Sequence, residues 1–155
     1  VSLDPSWDDA WIRDPDLVQR AMGTDVFLPN AAEARAIAGC EDLDQVGEGL
    51  ARHFPVVVIK DGDQGARLYQ GGLGLTLPAP RGGQVLDTTG AGDAFNAGFL
   101  AAWLAGRQPT RALAEGIACG TLSVQGVGGA GIRLSRERVA EISEALLANH
   151  DCIDA

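Results

Sequence analysis

The sequence predicts a layered α/β domain, and three observations carry that expectation. The run PVVVIK at residues 55–60 is continuous and β-branched, the pattern of a strand covered on both faces in a parallel sheet. Upstream of it, strand-like and helix-like stretches follow in the order β, α, β, α, α, with this run as the next strand. A glycine hairpin and then a series of helices complete the chain. At 155 residues the length corresponds to about one domain, and chains of this size hide roughly 70% of their unfolded surface.

The elements can be justified in order. Residues 1–3 are apolar, and Asp4-Pro5 after them is a turn signal. Asp14 can cap a helix, Pro15 suits its first position and Asp16 suits its dipole, so a helix is expected from there to about Met22, stopping at Gly23. Residues 25–28 (DVFL) read as a strand ended by Pro29. Residues 30–38 are alanine-rich and helical, ending at Gly39, and a second helix runs from about Asp44 to His53 with Val46 and Leu50 on one face. After residues 55–60 comes the turn DGDQG, then two strands at 66–70 and 74–78 joined through Gly71-Gly72. Val85 and Leu86 make a strand-like entry to a loop. The helix expected from Asp93 to Leu104 is apolar nearly all round and should be buried. Gly106 and Pro109 separate it from another apolar helix over about 110–124, followed by a glycine-rich loop at 126–131. Ser135 caps a last amphipathic helix, 136–147, with Val139, Ile142, Leu146 and Leu147 inward.

Composition bounds the function. The net charge is −9, and Lys60 is the sole lysine among twelve basic residues, so the basic footprint of a nucleic-acid binder is missing. No apolar run approaches the roughly 18 residues of a membrane span, and no basic-apolar leader opens the chain. Cys40, Cys119 and Cys152 lie far apart, with only His53 and His150 to help, which argues against both a zinc site and a disulfide framework. A cytoplasmic protein is expected. The chain opens VSLDPSW, inside a strand-like segment and without methionine, so further residues are expected upstream.

The chemistry concentrates in VLDTTGAGDAFNAGFL, residues 85–100. A helix N-terminus presents unpaired N–H groups, and the glycines of Thr89-Gly90-Ala91-Gly92 let an anion approach them. A site that only held phosphate would have no use for the adjacent Asp93. A site that moved phosphate onto an alcohol would: the carboxylate accepts the hydroxyl proton while the amides hold the charge of the transferring group. The simpler reading makes Asp93 an ordinary N-cap of a plain turn.

The longer string DTTGAGDAFNAGF resembles the signature of the ribokinase-like, or PfkB-type, carbohydrate kinases, D-T-x-G-A-G-D-x-F. The resemblance implies a three-layer α/β sandwich with a mostly parallel central sheet, truncated at the N-terminus. It implies ATP-dependent phosphorylation of a hydroxyl on a small sugar or sugar acid. Asp93 would be general base, and the backbone of Gly90, Ala91 and Gly92 the anion hole. Asn30 and Glu33 form the N-x-x-E that the family links to magnesium, with Glu33 holding Mg²⁺ through water; the same residues also spell a capping box. VVVIKDGDQGA resembles the nucleotide-flanking strand and turn, which places Lys60, Gly62 and Gly65 near ATP. Lys60 reads equally as a solvated strand-end lysine, and Asp61 stands where the family often has an apolar residue. In ACGTLSVQGVGGAG the resemblance implies a cover over adenine, with Gly126 and Gly128 beside the nucleotide. It also implies a monovalent cation such as K⁺, held by carbonyls near residues 126–129 and by the side of Asp87 and Thr89; Asp87 is equally open to a turn-capping role.

Residues 126–131 also satisfy G-x-G-x-x-G, but they follow a helix, so the dinucleotide context fails. The resemblance covers nearly all of 1–155, yet only the C-terminal, ATP-binding and catalytic half of such a kinase. The half with the lid and most of the sugar site is expected upstream, so the fragment alone should turn over weakly or not at all and should expose apolar surface. Asp4-Pro5-Ser6-Trp7-Asp8 stands where the family often has D-x-N-x-R, with Ser6 and Asp8 at the asparagine and arginine positions. A nucleoside acceptor, a non-catalytic nucleotide-binding remnant and a homodimer of the full-length form all remain compatible.

Overall fold

The computed structural model describes residues 1–128 and 134–151. The chain divides into two compact units, Val1–Gly62 with Ala66–Thr76, and Asp63–Gly65 with Leu77–Ala155.

The first unit is built on a five-stranded sheet in the order β1 (Ser2–Leu3), β2 (Val26–Phe27), β3 (Val56–Lys60), β4 (Ala66–Gln70) and β5 (Leu73–Leu77). Strands β1, β2 and β3 are parallel, with Ser2 opposite Val26 and Val26 opposite Val56. β4 returns antiparallel to β3, pairing Ile59 with Arg67 and Lys60 with Ala66. Val56, Val57, Val58 and Ile59 are all buried, as a β-branched run without polar alternation requires.

The helices between the strands are set by local chemistry. α3 (Ala31–Ala38) starts at a full capping box and stops at Gly39, whose φ of 61° ends the helix in the left-handed region. α4 (Leu43–Leu50) is capped by Asp42, which accepts from the N–H groups of Asp44 and Gln45. The helix expected from residue 14 shrinks to one turn, α2 (Leu17–Arg20): Asp14 does accept the Asp16 N–H at 2.9 Å, but the backbone there closes a tighter turn, Leu17 N–H to the Asp14 carbonyl at 3.0 Å, before the helix begins. A further short helix, α1 (Asp9–Ile12), went unpredicted; Asp8 caps it through the Trp11 N–H. Phe27 and Phe54 stack at 4.4 Å between ring centroids in the core, beside Ile12, Leu17, Val46, Leu50, Val57 and Ile59.

The second unit holds α5 (Ala91–Leu104), α6 (Pro109–Ser123) and α7 (Arg136–Asp151). α5 and α6 touch closely because Gly98 leaves room for Cys119: a Cβ on Gly98 would stand 2.6 Å from the Cys119 sulfur. The burial expected all round α5 is not found. Phe95, Phe99 and Ala102 are buried, whereas Leu104 is 83% exposed. Small residues let α5 bury its large ones on a single face against α6. Val85 and Leu86 are not a strand; both are exposed, and the Leu86 N–H bonds the Val124 carbonyl at 2.8 Å. α7 begins at Ser135, whose hydroxyl accepts from the Arg138 N–H. Among the described residues no helix is long and apolar enough to cross a membrane. Cys152 and residues 129–131 of the glycine-rich loop lie outside the described residues.

Candidate active site

Each unit carries one group of the residues singled out in the sequence. In the first, three parallel strands end together. Asp4 follows β1, Asn30 follows β2 and forms an isolated parallel bridge with Lys60, and Lys60 ends β3. Carboxyl ends of parallel strands are where open α/β sheets place their ligand sites. Asn30 Oδ1 accepts the Glu33 N–H at 2.9 Å, and Glu33 Oε2 accepts the Asn30 N–H at 2.7 Å. The capping reading of this pair is therefore realised in full.

Capping does not account for everything here. Glu33 is 3% exposed, and burial pushes its carboxyl above the ordinary carboxylate value; the Asn30 N–H pulls it down, the Asp4 charge adds to the rise and Lys60 opposes it. Lys60 is not the solvated strand-end lysine that one reading of the sequence allowed: its side chain is 12% exposed and its ammonium pairs with Asp4. Two carboxylates and one ammonium thus share the end of the sheet. Asp4 entered the sequence reading as part of a turn and as the first residue of the segment compared with D-x-N-x-R. Nothing local marks it as the partner of a residue 56 positions away.

Among the described residues no three His, Cys, Asp or Glu side chains form a group that could hold a metal ion alone. The donors present, the oxygens of Glu33, Asp4 and Asn30, are hard ones. Such a set suits an ion like Mg²⁺ that keeps most of its waters, and does not suit one caged by protein.

In the second unit the loop before α5 is organised by Asp87. Its two carboxylate oxygens accept the N–H groups of Thr89 at 2.9 Å and Gly128 at 2.8 Å. Those bonds, the Thr89 N–H first, then the Thr89 side chain and the Gly128 N–H, hold its carboxyl below the ordinary value. Asp87 is a turn cap, and it brings Thr89 and Gly128 together across 41 positions. The N–H groups of Leu86 and Asp87 both reach the Val124 carbonyl and fasten the same loop to the end of α6.

α5 starts two residues earlier than the sequence suggested, so Gly92 and Asp93 lie within its first turn. Gly90 is the N-cap, at a φ of 77° that favours glycine, and offers no side-chain cap. Asp93 is therefore not the N-cap of the simpler reading, and it is exposed. The Ala91 N–H is taken by the Thr88 carbonyl at 3.1 Å. The N–H groups of Gly92 and Asp93, by their place in the first turn, have no acceptor one turn back in the helix. Of the expected Gly90, Ala91 and Gly92 donors, that of Ala91 is used within the loop, and the Asp93 N–H stands beside that of Gly92.

The glycines of the DGDQG turn differ in role. Gly65 is buried at a φ of 99°, and a Cβ there would stand 2.0 Å from the Leu77 carbonyl oxygen, so packing alone demands glycine. Gly62, at a φ of 57°, is exposed and would meet nothing. Gly126 is buried and Gly128 exposed.

Comparison with known proteins adds to this geometry. The pattern of the pfkB family carbohydrate kinases matches residues 1–134. The chain is 30% identical over 160 residues to 2-dehydro-3-deoxygluconokinase of Bacillus subtilis, a match that covers 97% of this chain and 48% of that protein. It is 32% identical over 110 residues to cytidine kinase of Thermococcus kodakarensis, covering 69% of this chain and 40% of that one. Among solved structures, Arabidopsis thaliana ribokinase complexed with ribose and ATP superposes with a TM-score of 0.79 at 28% identity, over 93% of this chain and 47% of that one. The chain spans less than half the length of these relatives.

Proposed function

From the premise that this chain belongs to the pfkB family of carbohydrate kinases, we propose that it supplies the nucleotide-binding and catalytic part of an enzyme that transfers phosphate from ATP to a hydroxyl of a small sugar or sugar acid. The observation that carries this reading is the exposed Asp93 in the first turn of α5, beside N–H groups that the helix leaves unpaired. The relatives support the same chemistry: a sugar-acid kinase by sequence and a ribose- and ATP-bound ribokinase by fold.

The residues divide the work. Asp93 accepts the proton of the acceptor hydroxyl as its oxygen attacks phosphorus. The amides of Gly92 and Asp93, with the bare backbone of Gly90 and Ala91 clearing their approach, bind the negative charge of the transferring group. Glu33 and Asn30 orient water on Mg²⁺, which when bound would neutralise charge on the phosphates. Lys60 contributes through Asp4 and Glu33 at the end of the sheet. Gly62 in the first unit, and Thr89, Gly126 and Gly128 in the second, are each assigned to the nucleotide. K⁺, where used, would share Asp87 with the Thr89 and Gly128 amides. The acceptor site is supplied largely by sequence outside these residues. A nucleoside acceptor is a second reading, favoured by the cytidine kinase among the relatives.

The test is Asp93→Asn in the full-length protein, assayed against sugars, sugar acids and nucleosides with Mg·ATP. Loss of a general base should lower kcat by about 10²–10⁴-fold, with ATP affinity retained. Turnover unchanged by the substitution sinks the assignment of the base. Activity on nucleosides alone selects the second reading.

A further inference from the structure

Asp61 departs from the apolar residue that the resembling family often carries, and its surroundings give the departure a use. β3 and β4 stop pairing at Lys60 and Ala66, so residues 61–65 are not held by the ladder. Asp61 is the first of them. Its Oδ2 accepts from Nη1 of Arg67, on the second residue of β4, at 2.7 Å. Both side chains are largely withdrawn from solvent, 23% exposed for Arg67 and 18% for Asp61. On its other side Arg67 has an ion-pair contact, with no hydrogen bond at Nε among the described residues. Its Nε lies 3.4 Å from Asp44 Oδ1 in the first turn of α4, and the Tyr69 hydroxyl donates to the same oxygen at 2.7 Å. A partly buried, charge-assisted contact with a planar guanidinium restricts orientation far more than a solvated pair does.

The segment so fastened leads directly into Gly62 and its 3₁₀ turn. We propose that the Asp61–Arg67 pair, braced by Asp44, is a positioning device that fixes the 61–65 turn for the nucleotide, so that Asp61 and Arg67 govern ATP binding without touching the reacting atoms. The inference rests on the nucleotide-binding reading of Gly62 given above. A turn pinned in its bound conformation spares the nucleotide the cost of ordering it.

The experiment compares wild type, Asp61→Ala, Asp61→Asn and the exchanged pair D61R/R67D in the full-length protein. Mg·ATP binding is measured by calorimetric titration and, where turnover is found, steady-state constants are taken for ATP and acceptor. Asp61→Ala should weaken ATP binding about three- to tenfold and raise the ATP KM to match, with kcat and the acceptor KM within twofold. D61R/R67D should stay as weak as Asp61→Ala, because the carboxylate it places at position 67 faces Asp44 with like charge and loses the brace. Asp61→Asn keeps the shape of the side chain and reads the same contact should the alanine variant fail to fold. ATP affinity unchanged in folded Asp61→Ala or Asp61→Asn overturns the inference and leaves the kinase reading standing. Equal losses in kcat and both KM values also overturn it, since they report general damage. Wild-type protein that binds no Mg·ATP overturns both.

Discussion

Glu33 does a job that glutamine could do for the backbone. A glutamine oxygen would accept the Asn30 N–H equally well, as in any capping box. The carboxylate is instead kept at 3% exposure beside Asp4. The folded protein raises its pKa, mainly through burial, so the native state holds a proton more tightly than the unfolded chain. The stabilisation linked to that proton is complete below the ordinary value of 4.5 and is lost as pH rises through the raised native value. At neutral pH ionised Glu33 is therefore a liability to the fold. Glu33→Gln should raise Tm at pH 7, and the gap should close as pH falls below the carboxylate range. In the full-length enzyme it should weaken the magnesium dependence of turnover. A Tm at pH 7 equal to or below wild type, measured by thermal melts across pH, removes the argument. Asn30→Ala should act oppositely, costing about 1 kcal/mol through the lost cap, or roughly 2–4 °C in Tm. The Asn30–Glu33 pair was legible in the sequence because both contacts span three positions. Lys60 with Asp4, and Asp87 with Gly128, were not, because pairing across 56 and 41 positions leaves no local pattern.

At the scale of the elements, α5 shows where periodicity stops informing. A helix that is apolar on every side gives no signal for which face is covered, and its expected burial failed on Leu104. The covered face is revealed by its small residues. Gly98 meets Cys119 and the Glu115 carbonyl oxygen, the latter 2.8 Å from where a Cβ would lie, and Gly116 meets Phe95 and Phe99 at 3.1 Å. Backbone cannot retreat as a flexible side chain can, so Gly98→Ala should separate α5 from α6 and cost about 1–3 kcal/mol. Leu104→Gln, on the open face, should change stability by no more than about 0.5 kcal/mol. Denaturant titration of the two variants decides: comparable costs would mean that the face assignment is wrong. The same limit explains α1 and α2. One turn of helix is too short for a 3.6-residue period, and only caps such as Asp8 announce it. β3, by contrast, was plain from sequence because four consecutive β-branched residues leave no polar face for solvent.

For the molecule as a whole, the kinase reading makes a thermodynamic demand that no single contact can satisfy. A nucleotide role is proposed for Gly62, Lys60 and Glu33 in the first compact unit and, separately, for Thr89, Asp93 and Gly128 in the second. A ligand that binds the native state and not the unfolded chain stabilises by mass action, about 2.7 kcal/mol at a hundredfold excess over Kd. For a chain of this length that is roughly 5–10 °C in Tm. Mg·ATP should therefore raise the melting temperature in proportion to the logarithm of its concentration. ATP with chelator should shift Tm less, since its full charge then meets Glu33, Asp4 and a chain of net charge −9 without a metal between them. The separate arms locate any failure. A shift with Mg·ATP that Asp93→Asn leaves intact places binding apart from catalysis, as the base assignment requires. No shift at millimolar Mg·ATP would mean that these backbone amides and carboxylates do not form a nucleotide site.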